Sequence, residues 1–129
     1  MVKKKRSFQE VAAVAEPATV EETISVNNLR ANLEEIKTYD GVVGYILRNS
    51  TSAAIDLKDP SKIIDYALIS SSALDAGEEL SRLFDLGAVK DIVVAGKVVK
   101  VLSLNVGENR VSVFLEKDAD CEKILRKLH

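Results

Sequence analysis

The sequence predicts an α/β fold of the α+β type, in which one five-stranded antiparallel sheet lies between helices. Helical and strand patterns follow one another in the order α-β-β-α-β-β-β-α, and short turn sequences join the strands that are consecutive in the chain. Strands joined by tight turns pair antiparallel. Because the central helix separates a hairpin from a three-stranded meander, the simplest closure is one sheet with helices on both faces.

The size and composition are those of one globular domain. The chain has 129 residues, of which 47% are hydrophobic and 29% charged, and its formal net charge is −2. A charge so close to zero argues against a broad basic surface for nucleic acid. The single cysteine, Cys121, cannot form a disulfide within the chain, and no apolar run approaches the roughly 20 residues of a membrane span. These features predict a soluble cytoplasmic protein.

Residues 1 to 24 are expected to form an N-terminal extension of the domain, which comprises residues 25 to 129. The extension begins with the basic stretch Lys3–Arg6, continues with alanines and valines, and ends acidic. We expect it to be a mobile tail. The alternative is an added strand or helix that packs on the domain through Val11 and Val14.

The first helix is predicted to begin near Val26, with Ser25 as its cap. Its apolar residues recur at spacings of three and four and are Val26, Leu29, Leu33 and Ile36. The segments 42–48 and 51–57 are then predicted to pair as a hairpin. Gly44, inside the first of these strands, indicates a bulge or the close approach of another backbone.

A long central helix follows the hairpin. It is expected to start at Asp59-Pro60, where Asp is the cap, and to end near Leu86 because Gly87 follows. Within it, Arg82 is expected to pair with Glu78 one turn back. The later elements are the strands 89–95, 97–104 and 110–115 and a last helix that begins at Asp118 or Asp120.

The central helix carries more apolar surface than one sheet can cover. Its first stripe consists of Tyr66, Ile69, Ala73, Ala76, Leu80 and Leu83, and its second of Ile63, Ile64, Ala67, Leu68, Ser71 and Leu74. The run Ser70–Ala73 is small enough to let another backbone come close. We therefore expect one side of the helix to pack on the sheet and the other on a partner helix. The alternative is that the first helix or the tail covers this second side.

Four local sequences point to a known family. They are Tyr39–Arg48, where a Gly-containing turn precedes an apolar strand; the small-residue helix Ser70–Leu83; Val89–Gly96 with strand 98–104 after it; and the closing strand and helix, Val111–Leu128. Together with the element order, they resemble the Roadblock domain of dynein light chains, Ragulator subunits and prokaryotic GTPase partners. The resemblance covers residues 26 to 129 and implies a profilin-like sheet. The hairpin turn departs from it, because many relatives carry Asp and Gly there.

The resemblance implies a non-catalytic interaction module that forms a homodimer or a heterodimer of like domains. In such dimers the central helices pack together and the third strands pair into a ten-stranded sheet. Carried onto this sequence, the dimer interface would include Tyr66, Ile69, Ser70, Ala73, Leu74 and Gly77 on the central helix and Asp91, Val93 and Ala95 on the edge strand. Family members scaffold or regulate small Ras-like GTPases, so the resemblance implies such a partner here.

No catalytic, cofactor-binding or metal site is expected, and the chain is not predicted to be an enzyme. The only histidine, His129, is the last residue, so a Ser-His-Asp or Cys-His arrangement would depend on it. Cys121 is interpreted as a small apolar residue, and the acidic clusters around Asp59 and Asp120 as helix caps and solvated charges. The alternative function is a small-molecule-binding sensor domain of profilin-like or PAS-like architecture.

Overall fold

The computed structural model describes residues 20 to 128, with side chains from residue 26 onward. The helices and strands are α1 (Val20–Ile36), β1 (Val42–Arg48), β2 (Ala53–Leu57), α2 (Ile63–Phe84), β3 (Asp91–Ala95), β4 (Val99–Val106), β5 (Asn109–Glu116) and α3 (Cys121–Leu128). A short 3-10 turn, Pro60–Lys62, leads into α2. The predicted element order is confirmed. Most of the predicted tail, residues 1 to 19, lies outside the described residues.

The strands form one five-stranded antiparallel sheet in the order β2-β1-β5-β4-β3. The hairpin and the meander join through β1 and β5, so β2 and β3 are left at the two edges. Side chains of α1 and α3 share one core with the sheet, and side chains of α2 share another. The prediction of one sheet between helices is therefore confirmed.

The first helix begins earlier than predicted. It starts at Val20, so Ser25 lies inside it and is not its cap. No Gly or Pro interrupts the segment from Val20 to Ile36. The apolar periodicity that located the helix begins only at Val26, which is why the predicted start was too late.

Two polar contacts fix α1 against the β1–β2 hairpin. The buried Tyr45 hydroxyl donates to Glu34 Oε2 at 2.5 Å, and burial followed by this hydrogen bond raises the pKa of Tyr45. Lys37 Nζ donates to Asp56 Oδ2 at 2.5 Å. Burial alone would lower the pKa of Lys37, but the hydrogen bonds and negative charges of Asp56 and Glu34 together outweigh it and raise the pKa. Both groups therefore keep their protons, and their partners accept from them.

On the other side of the sheet, α2 rests on small and aromatic side chains. The rings of Tyr66 and Phe114 stack with their centroids 4.4 Å apart. Beside them three buried hydroxyls form a chain, in which Ser112 Oγ lies 2.6 Å from Ser70 Oγ and 2.7 Å from Ser103 Oγ. Since a buried hydroxyl needs a partner, this chain fixes the position of α2 along the sheet.

Replacing the middle hydroxyl of this chain is expected to destabilise the protein. Ser112→Ala leaves the Ser70 and Ser103 hydroxyls without their shared partner, which costs about 1–3 kcal/mol when such groups are buried. Urea unfolding should show the loss. Ser72→Ala, at an exposed position of α2, is the matched control and should not lower the free energy of unfolding. An equal effect of the two substitutions would contradict the role given to the chain.

The segments before and after α2 end the helix in different ways. Asp59 was predicted to cap the central helix itself, but it caps the 3-10 turn before it, where its carboxylate accepts from the Ser61 N–H at 3.1 Å, and α2 begins only at Ile63. The C-terminal end differs from the prediction, since the helix stops at Phe84 and Asp85 takes the left-handed conformation with φ of 54°. Gly87 also has a positive φ, of 84°, but it lies in the loop beyond. An aspartate can adopt this conformation at modest cost, which the sequence pattern did not reveal.

Gly44 combines the two features predicted for it. The register between β1 and β5 shifts between Val42 and Gly44, as at a β-bulge. A Cβ at Gly44 would lie 2.7 Å from Leu57 Cα, so the backbone of β2 approaches closely. A larger residue has no space there.

Candidate interaction surface

Four of the α2 residues predicted to lie in the dimer interface are on the side of the helix that faces the chain's own sheet. Ser70, Ala73, Leu74 and Gly77 are all buried within the chain itself. A Cβ at Gly77 would lie 2.7 Å from Ile92 Cδ1, so the glycine lets α2 come close to β3. The small residues thus serve packing on the chain's own sheet, and the part predicted for these four positions in a helix interface stays a prediction.

The apolar residues that α2 leaves exposed lie on one flank. We call Ile69, Ala76, Leu80 and Leu83 the α2 stripe; they are spaced so that they lie on one side of the helix. Its three large side chains are between 41% and 65% exposed. Tyr66, also predicted for the interface, is half-buried beside the stripe because it stacks on Phe114. Of the predicted helix positions, Ile69 is the one most open to solvent.

The edge strand β3 is the second part of the surface. It pairs only with β4, so the hydrogen-bonding groups on its outer side have no strand partner within the described sheet. Asp91, Val93 and Ala95 lie on this strand as predicted, and all three are exposed. Val94 is exposed too, and its pairing with Val101 places it on the face that α2 covers. An exposed edge strand with apolar side chains readily accepts another strand.

The α2 stripe and the β3 edge lie side by side. Gly77 faces Ile92 and Val89, which places the strand next to α2. On the opposite flank, Arg110 of β5 contacts Asp75 at 3.6 Å and Glu78 at 3.2 Å. The stripe therefore points away from β5 and towards the β3 edge. We call the two together the interaction surface.

One predicted ion pair was wrong. Arg82 contacts Glu79, three residues back, and does not contact Glu78. Glu78 instead pairs with Arg110, which is 32 residues away in sequence. The long-range partner lies on β5, at the flank of this part of α2, and local spacing could not reveal it.

Outside the interaction surface, the aspartates and the cysteine that a reactive site could use have structural roles. Asp120 caps α3 by accepting from the Glu122 N–H at 2.9 Å, and hydrogen bonds from Ser61 lower the pKa of the other capping residue, Asp59. Cys121 is half-buried against the core beneath α1 and α3. Among residues 20 to 128, no group of three or more His, Cys, Asp or Glu side chains is placed to hold a metal ion.

No helix in the described part of the chain has the length and apolar character needed to cross a membrane. No protein-family model matches the sequence. No curated protein matches it significantly either.

Solved structures do match. The Roadblock/LC7 domain from Streptomyces avermitilis superposes with a TM-score of 0.62 at 15% sequence identity, over 78% of this chain and 85% of that one. This chain has the Roadblock fold. MglC from Myxococcus xanthus matches with a TM-score of 0.55 at 19% identity, over 78% and 90% of the two chains. The gliding protein MglB from Thermus thermophilus matches with a TM-score of 0.62 at 17% identity, over 92% and 88%.

The Roadblock fold places the interaction surface in context. The likeness extends over most of both chains in each comparison, so the sheet and its helices are shared as one unit. Identities below 20% mean that the fold is shared while most surface side chains differ. What this chain binds must therefore be argued from its own exposed residues.

Proposed function

We propose that this Roadblock-fold chain is a non-catalytic dimeric interaction module. The observation that carries the proposal is the exposed α2 stripe next to an edge strand without an outer partner in the described sheet. When another copy covers exposed apolar side chains and unpaired strand groups of this kind, the free energy of the assembly falls, so the dimer is stabilised. The partner proposed for this surface is a second copy of the chain.

The sequence of β3 is compatible with antiparallel pairing between the β3 strands of two copies. If two copies of β3 pair antiparallel about Val93, each Asp91 lies opposite an Ala95 and the valines lie near one another. No like charges then lie opposite one another between the two β3 strands, which form the seam of the proposed dimer. A two-fold axis of this kind also brings the two α2 stripes together, and the two sheets become one of ten strands.

For the dimer we propose the role implied by the family resemblance, which is to scaffold or regulate a small Ras-like GTPase. Two α2 helices side by side on a continuous sheet offer a wider docking surface than one domain does. Such a composite surface exists only when both copies are present. Binding of a third protein would therefore depend on dimerisation.

This role is testable with purified proteins. Each small Ras-like GTPase of the source organism is loaded with GDP or with a non-hydrolysable GTP analogue, and its binding to the full chain is measured by biolayer interferometry. At least one is expected to bind, and to bind the Leu80→Glu variant at least about ten-fold more weakly because the composite surface is lost. Absence of binding in both nucleotide states at high micromolar concentration would contradict the role.

The described packing beneath α2 does not favour a small-molecule sensor. A ligand of a profilin-like or PAS-like domain would lie between the sheet and a helix. Beneath α2 that space holds the stacked rings of Tyr66 and Phe114 and the hydrogen-bonded Ser70 and Ser112 hydroxyls.

A further inference from the structure

The sheet has a second free edge, on the side opposite β3. β2 pairs only with β1, so its outer side has no strand partner within residues 20 to 128. The carbonyl of Ser52 and the N–H of Lys58 both bond to the opposite arm of the hairpin, each at 3.0 Å. Since successive residues of an antiparallel strand alternate between inward and outward backbone groups, the N–H and C=O groups of Ala53 and Ile55 point outward.

Little at this edge prevents another strand from pairing with it. β2 contains neither Pro nor Gly, and its register with β1 is continuous. Ala53 is exposed and Ile55 is half-buried, so their outward groups can be reached from the side. The one charged residue of β2, Asp56, is engaged by Lys37 of α1. An edge that lacks Pro, bulges and free charges is open to strand addition.

The charges beside this edge are positive. Arg48 of β1 lies between Arg110 of β5 and Ala53 of β2, and like charges on neighbouring strands repel. Carboxylates of α2 pair with Arg110, whereas Arg48 makes no ion pair within residues 26 to 128. Lys58, at the other end of β2, is exposed and makes none there either. Two cations therefore flank the edge, and carboxylates of a partner would complement them.

We propose that the outer edge of β2 binds an extended acidic segment of another protein, which pairs antiparallel as a sixth strand. The backbone of the segment bonds to the outward groups of Ala53 and Ile55. The residue opposite Ala53 is two strand spacings from Arg48, about 10 Å between backbones, and an arginine can reach a carboxylate there across the small alanine. A second carboxylate, about five residues earlier in the segment, faces Lys58.

A second copy of β2 does not supply these carboxylates. If two β2 strands paired antiparallel about Ile55, Ala53 would lie opposite Leu57, and the Arg48 guanidinium would still lack a carboxylate. The site also goes beyond the proposed dimer, because β2 and β3 are opposite edges of the sheet. Dimerisation and strand addition can therefore occur on the same molecule.

Amide chemical shifts of the full chain test this proposal. The probe is an acetylated and amidated hexapeptide, Glu-Val-Thr-Val-Thr-Glu, whose glutamates lie opposite Lys58 and Ala53 when it pairs antiparallel with β2. It is added up to about 5 mM, which detects a Kd of about 1 mM. The amide signals of Ala53 and Ile55 should move because their N–H groups gain an acceptor. Those of Ala54 and Asp56, which bond to β1, should move much less.

Two pairs of variants test the charge and the backbone separately. Arg48→Glu should weaken binding of the probe at least about five-fold, whereas Arg48→Lys should preserve it. A peptide with Lys in place of the last Glu should show the reverse preference, binding Arg48→Glu more tightly than the unchanged chain. Ala53→Pro removes one outward N–H and should weaken binding about five-fold, whereas Ala53→Ser keeps the donor and should not.

Absence of binding, shifts centred on β3 or on the α2 stripe, equal shifts at neighbouring residues of β2, or binding indifferent to Arg48→Glu would each overturn the proposal. Slow hydrogen exchange at Ala53 and Ile55 before any peptide is added would also overturn it, because the chain itself or a second copy would then already occupy the edge. Leu80→Glu should bind the probe as the unchanged chain does. Sedimentation of every variant reports the dimer, so failure of this site and failure of the dimer are distinguished.

Discussion

Leu80→Glu is expected to convert the protein from a dimer to a monomer. Leu80 is 49% exposed in a single copy and would be covered by the second copy at the proposed seam. A carboxylate buried there without a cation costs about 2 kcal/mol or more, which raises the dissociation constant at least about 30-fold. Sedimentation velocity should then show a species of 14.1 kDa in place of one of twice that mass.

The matched control is Ile64→Glu. Ile64 is also an exposed apolar residue of α2, but helical spacing places it on a side of the helix turned away from the α2 stripe. The same change of side chain there should leave the dimer intact. If both variants stay dimeric, or if both dissociate, the seam is misplaced. Ala73→Glu is a poorer test because Ala73 packs on its own sheet, so the charge would disturb the fold as well.

Gly44→Ala is expected to destabilise the fold by about 3 kcal/mol. The added Cβ would overlap the carbonyl oxygen of Asp56 and lie 2.7 Å from Leu57 Cα. Both contacts are with backbone atoms of β2, which cannot move without breaking the pairing between β1 and β2. Urea unfolding should show a lower midpoint with an unchanged slope.

Gly107→Ala is the control that lacks this overlap. Gly107 has a φ of 61°, and a Cβ there would meet no atom within 4 Å. Its substitution should therefore cost only about 1 kcal/mol, the penalty of the left-handed conformation. Equal losses for the two variants would show that the approach of β2 to Gly44 is looser than described.

Local patterns were sufficient to predict the elements and their layers. The stripe Leu29, Leu33 and Ile36 located α1, and all three residues are buried in the core beneath α1 and α3. Gly44 was identified as a bulge or close approach because a glycine inside an apolar strand weakens the strand unless the backbone needs it there. Each of these inferences depends on neighbours in sequence, so the sequence contained enough information.

The orientation of α2 could not be predicted in the same way. Both of its stripes are apolar, so periodicity did not show which side meets the sheet. The run around Ser70 was interpreted as a contact with another helix, but a helix also needs small residues where it approaches a sheet closely, as at Gly77. The partner of Ser70 is Ser112, which only the folded chain brings near.

The backbone amides of β3 test the central claim most directly. In the proposed dimer the outward N–H groups of β3 are hydrogen-bonded to a second copy, whereas in a monomer they face water. Hydrogen–deuterium exchange of the full chain should therefore be slow at these amides and become fast in Leu80→Glu, while the amides that bond to β4 stay protected in both. Equally fast exchange of the outward amides in both proteins would contradict the account.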